Sequence, residues 1–121
     1  MAVAKLGTVV LDCPDPLALA TFYAGLLGGT PSLEEDGSWA DLGGHEGTPL
    51  AFQLAPGHVP PAWPSPEGSQ QFHLDLTVED LDAAEQHIVA LGAKPLDAGE
   101  PGRNWRVYAD PAGHPVCLCR S

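Results

Sequence analysis

At 121 residues the chain is long enough for one compact domain, and its 44% apolar content is that of an ordinary globular protein. Sixteen acidic against five basic side chains leave a formal charge of -11, which excludes a phosphate-gripping nucleic-acid surface and disfavours docking on an anionic membrane. No stretch approaches the roughly 20 apolar residues of a membrane span, no charged-then-apolar leader pattern opens the chain, and three cysteines lack finger spacing, so a reduced, cytoplasmic protein is expected.

The first pattern is an alternating strand, Thr8-Val-Val-Leu-Asp-Cys-Pro-Asp15. Asp15-Pro16 then makes a helix start, because Asp accepts hydrogen bonds from free N–H groups and Pro is tolerated at the first helical position. Leu19, Phe22, Tyr23 and Leu26 recur at helical spacing until Gly28-Gly29 stops the run. Strand signals follow at 38–42 and 50–54. Residues 56–66 hold five prolines and read as an extended connector that folds over a pocket, neither helix nor central strand. The second half repeats the first. An alternating strand over 72–78 leads to Asp80, then a helical stripe of Leu81, Ala84, Ile88 and Leu91 ends at Gly92, and strand signals follow at 105–109 and 116–119.

Both copies thus read strand, Asp, helix, Leu-Gly and, three residues after that Gly, a Pro (Pro31, Pro95). An internal repeat of this length makes each copy a half-domain module. The expected organisation is one domain over 1–121, with module 1 at about 4–56, the connector at about 56–68 and module 2 at about 69–121.

Strand alternation assigns faces. Val9, Leu11 and Cys13 oppose Thr8, Val10 and Asp12; Leu74, Leu76 and Val78 oppose His73, Asp75 and Thr77. Phe52 and Leu54 oppose Gln53, and Val116 and Leu118 oppose Cys117 and Cys119. The apolar faces belong under the helices, which leaves His73, Asp75, Gln53, Cys117 and Cys119 on faces available to a cavity or to solvent.

These residues, in this order, resemble the vicinal oxygen chelate superfamily, and within it the glyoxalase-like, bleomycin-resistance-type domains. The matching stretches are Leu11-Asp-Cys-Pro-Asp-Pro16 with Phe22-Tyr23 and Leu27-Gly28, then Leu50-Ala-Phe-Gln53. They continue with Gln71-Phe-His-Leu-Asp-Leu-Thr-Val-Glu-Asp-Leu-Asp82, Leu91-Gly92-Ala93 and the run from Trp105 to Leu118. The resemblance implies an α+β fold of two paired βαβββ modules whose mixed sheet curls around a cleft, and a homodimer. In metal-dependent relatives four cleft positions supply ligands, usually His, Glu or Gln. Here they fall on Thr8, Gln53, His73 and Cys117.

His73 is a good metal ligand and Gln53 offers a carbonyl oxygen, but Thr8 is a poor ligand and Cys117 stands where a carboxylate is expected. Asp75 or Cys119, two residues along on the same face, would be needed to complete a site. A degenerate metal site is therefore expected, with no cofactor required; a divalent ion on His73, Gln53 and Cys117 is the alternative. His73 as acid or base and Cys117 as nucleophile are the candidates for metal-free catalysis. Trp39, Trp63 and Trp105, with Phe52 and Tyr108, are candidate walls for a small organic ligand, and Trp63 stands out because it sits in the connector.

Arg103 and Arg106 flank Trp105 and are expected to pair with nearby acids such as Glu100, the alternative being to hold an anionic ligand group. His45, His58 and His114 share no ligand spacing and read as turn residues, and Asp110-Pro-Ala-Gly113 reads as a structural turn. The expected function is small-molecule binding around Thr8, Trp39, Gln53, Trp63, His73, Asp75, Trp105 and Cys117. Alternatives are a metal-dependent lyase or dioxygenase, and a structural or accessory homodimer.

Overall fold

The computed structural model describes residues 2–62, 68, 72–97 and 99–120; Trp63, Pro66 and Gln71 lie outside the described residues. The chain divides into two compact units, Met1–His58 and Val59–Ser121. The first runs β1 (Val9–Cys13), α1 (Pro16–Leu27), β2 (Thr30–Leu33), β3 (Trp39–Gly43) and β4 (Leu50–Leu54). The second runs β5 (Leu74–Val78), α2 (Leu81–Ala90), β6 (Lys94–Asp97), β7 (Trp105–Ala109) and β8 (Pro115–Arg120). The protein is α+β, built from two βαβββ modules that each carry a four-stranded mixed sheet.

Local chemistry sets both helices. The Asp15 carboxylate accepts the Ala18 N–H at 3.1 Å, Pro16 opens α1, and Gly28 at φ 81° closes it with its N–H on the Ala24 carbonyl. Asp80 caps α2 in the same way through the Ala83 N–H at 3.1 Å, and Gly92 at φ 116° follows its end. Leu19, Phe22 and Tyr23 are buried beneath α1, with Phe22 edge-on to Tyr23 at 4.9 Å and Tyr23 stacked on Phe52 at 5.7 Å. In the second unit Leu81 and Ile88 are buried on α2, which packs on β8, where Val116 and Leu118 are buried. Each such aliphatic side chain removed from water contributes about 1.5–3 kcal/mol, which is what holds a helix on so small a sheet.

The sheets have orders β1-β4-β3-β2 and β5-β8-β7-β6. In each, the first strand pairs in parallel with the last, and the remaining pairs are antiparallel. The alternation read from the sequence holds in the first strand of each module: Val10 and Asp12 of β1 are more exposed than Val9, Leu11 and Cys13, and Asp75 and Thr77 of β5 more than Leu74, Leu76 and Val78. It does not show in the burial of the last strands, where Leu50 to Phe52 of β4 and Pro115 to Leu118 of β8 are continuously buried. His73 falls just before β5 rather than inside it.

Two strands, β2 and β6, carry no clear sequence signal. Each is four residues long, has Pro at its second position and lies at a sheet edge. Pro cannot donate to a strand ladder, so the edge is where such a strand belongs. The register of β6 also shifts between Pro95 and Asp97.

Candidate functional site

The face of the second sheet opposite α2 is built by non-local pairing. Parallel register sets Asp75 opposite Cys117 and Thr77 opposite Cys119, while antiparallel register brings Val107 beside Cys117 and Trp105 beside Cys119. The result is a cluster in which a His73 ring nitrogen, an Asp75 carboxylate oxygen and the Cys117 sulfur all lie within 4.8 Å of one another. His73 Nε2 sits 3.1 Å from Asp75 Oδ1, and both side chains reach solvent, 37% and 62% exposed, while Cys117 is buried. Among the described residues this is the one group of three or more His, Cys, Asp or Glu side chains with ligating atoms so close.

Burial and the Asp75 carboxylate push the Cys117 thiol up to about 12, and the same two causes, in that order, raise Cys119. A nucleophilic cysteine needs the opposite setting, with positive charge or a helix N-terminus beside the sulfur. Cys117 is therefore a protonated donor in this arrangement. Cys117, a candidate nucleophile from the sequence, has Asp75 beside the sulfur, which raises its pKa further, and a His73 ring nitrogen within 4.8 Å.

Trp105 lies on the same face, 42% exposed, with the Arg103 guanidinium 3.8 Å above its ring centroid. Arg103 is held there from three directions: its Nε donates to the Trp105 carbonyl at 2.9 Å, and Nη1 and Nη2 both reach Asp97 at 3.2 Å. That pair and the Gly99 N–H keep the Asp97 carboxyl below its ordinary range, with Arg103 the larger cause. Arg106 points to the other side of the sheet, where it meets Asp82 at 2.8 Å and Glu85 at 3.6 Å. Both arginines pair with acids as expected, but with Asp97, Asp82 and Glu85; Glu100 meets Arg103 through backbone only.

On the first sheet Gln53 is exposed and lies between Asp12 and Trp39 in register. Trp39 is half-buried and donates its indole N–H to Asp41 at 3.1 Å, and Thr8 is exposed just before β1. Phe52 and Tyr108, expected as candidate ligand walls, are core residues: Phe52 stacks on Tyr23, and the buried Tyr108 hydroxyl donates to Glu85 at 2.7 Å. Their positions face the helices, and alternation alone would have shown this for Phe52.

In the second unit Pro60 and Pro61 of the connector line a groove of about 520 Å³ with Lys94, Leu96 and the turn after β7, none of them read from the sequence as a binding residue. That turn is structural, as read: Asp110 is buried and its Oδ1 accepts the N–H groups of Ala112 and His114 at 2.9 and 3.0 Å.

Residues 8–119 match the family model of the glyoxalase-like domain, and the chain belongs to that family and so to the vicinal oxygen chelate superfamily. No curated protein matches it. Among solved structures it is similar to a glyoxalase/bleomycin resistance protein/dioxygenase family enzyme from Burkholderia phytofirmans PsJN, at 17% identity and TM-score 0.74 over 97% of this chain and 98% of that one. A glyoxalase/dioxygenase from Nostoc punctiforme is similar at 21% identity and TM-score 0.69, covering 100% and 97%. Oxidase ChaP-H2 is similar at 20% identity and TM-score 0.68, covering 99% and 95%. At these identities the likeness establishes the fold.

The residues at the four ligand positions of metal-dependent relatives fit such an ion poorly. Thr8 and Gln53 offer neutral oxygens, and the buried Cys117 thiol replaces a carboxylate. A hard, oxygen-seeking cation gains little from that set.

Proposed function

We propose that this protein binds a small organic molecule on the face of its second sheet opposite α2, with His73, Asp75 and Cys117 as the principal contacts. The observation that carries the reading is the convergence of an imidazole, a carboxylate and a thiol within 4.8 Å on the face of the second sheet opposite α2. Family membership supports it, because this fold presents such faces to ligands. Trp105 adds an exposed aromatic surface one register step away. On the first sheet Gln53 and Trp39 offer an amide and an indole on neighbouring strands, with Thr8 before β1. The ligand is neutral or cationic: the Asp75 carboxylate is largely exposed, and Arg103 already shares its charge with Asp97. A planar, oxygenated compound suits a face offering an imidazole, a thiol donor and a carboxylate acceptor.

A fragment library of small aromatic and oxygenated compounds, screened by thermal shift and followed by calorimetry, tests this. Hits are expected to bind wild type and to lose about tenfold or more in His73→Ala, whose fold is unchanged. Leu76→Ala is expected to do the reverse: it faces the helix and is half-buried, so it costs about 2 kcal/mol of stability and leaves affinity intact. Exchange of the two phenotypes would refute the face assignment.

A further inference from the structure

We propose that the groove in the second unit is a binding site for a small monocarboxylate with an apolar body, its carboxylate on the Lys94 ammonium and its hydrocarbon part against proline-rich walls. The groove shares no residue with the His73, Asp75 and Cys117 cluster. It takes an anion, where the sheet face favours a neutral or cationic ligand.

Three local features meet to form the groove. Gly92, at φ 116°, carries the chain from the end of α2 towards β6, whose first residue, Lys94, pairs in antiparallel register with Ala109. Ala109 leads into the 110–113 turn, and a Cβ on Gly113 would overlap the Pro60 ring, so the turn is shaped to receive the connector. Pro60, Pro61, Leu96, Pro111 and Ala112 give the space of about 520 Å³ its apolar lining, and small-ligand sites usually span about 300–1,000 Å³. Proline rings are already restricted, so little conformational freedom is lost when a ligand packs on them.

Charge sets the class of ligand. Among the described residues two ionisable groups line the groove, Lys94 and Asp110. Asp110 is buried and its Oδ1 accepts the N–H groups of Ala112 and His114, so that carboxylate is committed to its own turn. Lys94 is exposed and, among the described residues, has no ion-pair partner, whereas Arg103 and Arg106 are both held by acids. In a chain with 16 acidic and 5 basic side chains, a lysine left unpaired beside an apolar groove is a local exception. One ammonium is a point charge with three donors, which suits one carboxylate. A phosphate dianion asks for a second cation or an arginine fork, and the described residues of the groove offer neither.

The test is a titration of the isotopically labelled, full-length protein with 3-phenylpropionate, read by amide spectra, with the neutral 3-phenylpropionamide as the matched control. The expected result is saturable shifts at residues 92–96 and 109–113, half-maximal at about 1 mM, with the amide bound about threefold more weakly. Lys94→Met keeps the aliphatic stem and removes the charge. It is expected to weaken 3-phenylpropionate about three- to fivefold and to leave the amide unchanged. Lys5→Met, which removes a charge outside the groove, leaves the titration as in wild type and so controls for net charge. Circular dichroism confirms that the variants are folded; if Lys94→Met does not fold, the comparison of carboxylate with amide on wild type decides. Absence of saturable shifts at these residues, equal binding of carboxylate and amide, or unchanged 3-phenylpropionate affinity in folded Lys94→Met would each overturn the proposal. Shifts at residues 73–77 and 117–119 instead would move the carboxylate to the sheet face and overturn it as well.

Discussion

Asp75 stands opposite Cys117 across the β5–β8 pair, so a thiol that burial already disfavours as thiolate faces a carboxylate as well. With the thiol pushed up to about 12, Cys117 of the metal-free protein is expected to react with iodoacetamide at pH 8. The rate should be about a hundredfold or more below that of the same cysteine in the denatured chain, because so little thiolate is present. The sign follows from the direction of the shift: the rate climbs with pH well beyond the range where an ordinary cysteine levels off. Asp75→Asn removes the negative neighbour and is expected to speed the reaction, which peptide mapping by mass spectrometry reads directly. Fast alkylation of native Cys117 at pH 8 would contradict the arrangement. Alternation placed His73, Asp75, Cys117 and Cys119 on one side from the sequence alone. It left open which of them touch, since that depends on strand register set hundreds of atoms away along the chain. The proximity of Asp75 to the sulfur is a tertiary fact of this kind, and so is Arg103 lying over Trp105.

Each helix begins on an aspartate whose side chain accepts a main-chain N–H at 3.1 Å, from Ala18 in α1 and Ala83 in α2. Asp15→Ala and Asp80→Ala are each expected to cost about 1 kcal/mol by chemical denaturation, and the two losses should add, because the caps share no partner. The turn after β7 is tighter still. Gly113 sits at φ 89°, and a Cβ there would overlap the Pro60 ring, so this glycine lets the connector lie against the turn. Caps, helical spacing and the Gly stops were legible because they are local chemistry repeated twice. The edge strands β2 and β6 were not, since a four-residue segment with an internal Pro looks like a loop until a neighbouring strand supplies its hydrogen bonds.

At the scale of the molecule, the sequence repeat and the repeated βαβββ succession are one observation made twice. The modules have diverged where chemistry is concerned. Module 1 presents Gln53, Trp39 and exposed acids on its open face, whereas module 2 presents imidazole, carboxylate and thiol in mutual reach. One backbone plan with unequal side chains can host two different surfaces. Most of the fold was therefore readable from pattern, and most of the site's residues were nameable. Their grouping was not, and neither were the residues, such as Lys94, that share a groove with the connector.

The most direct test of the central claim is chemical-shift mapping: amide spectra of the isotopically labelled protein recorded against the strongest fragment hits. The shifted resonances are expected to gather at residues 73–77, 105–107 and 117–119, and to vanish in His73→Ala. Shifts confined to Pro61's neighbours, Lys94 and the 110–113 turn, with His73 and Cys117 unmoved, would place binding in the groove and contradict it.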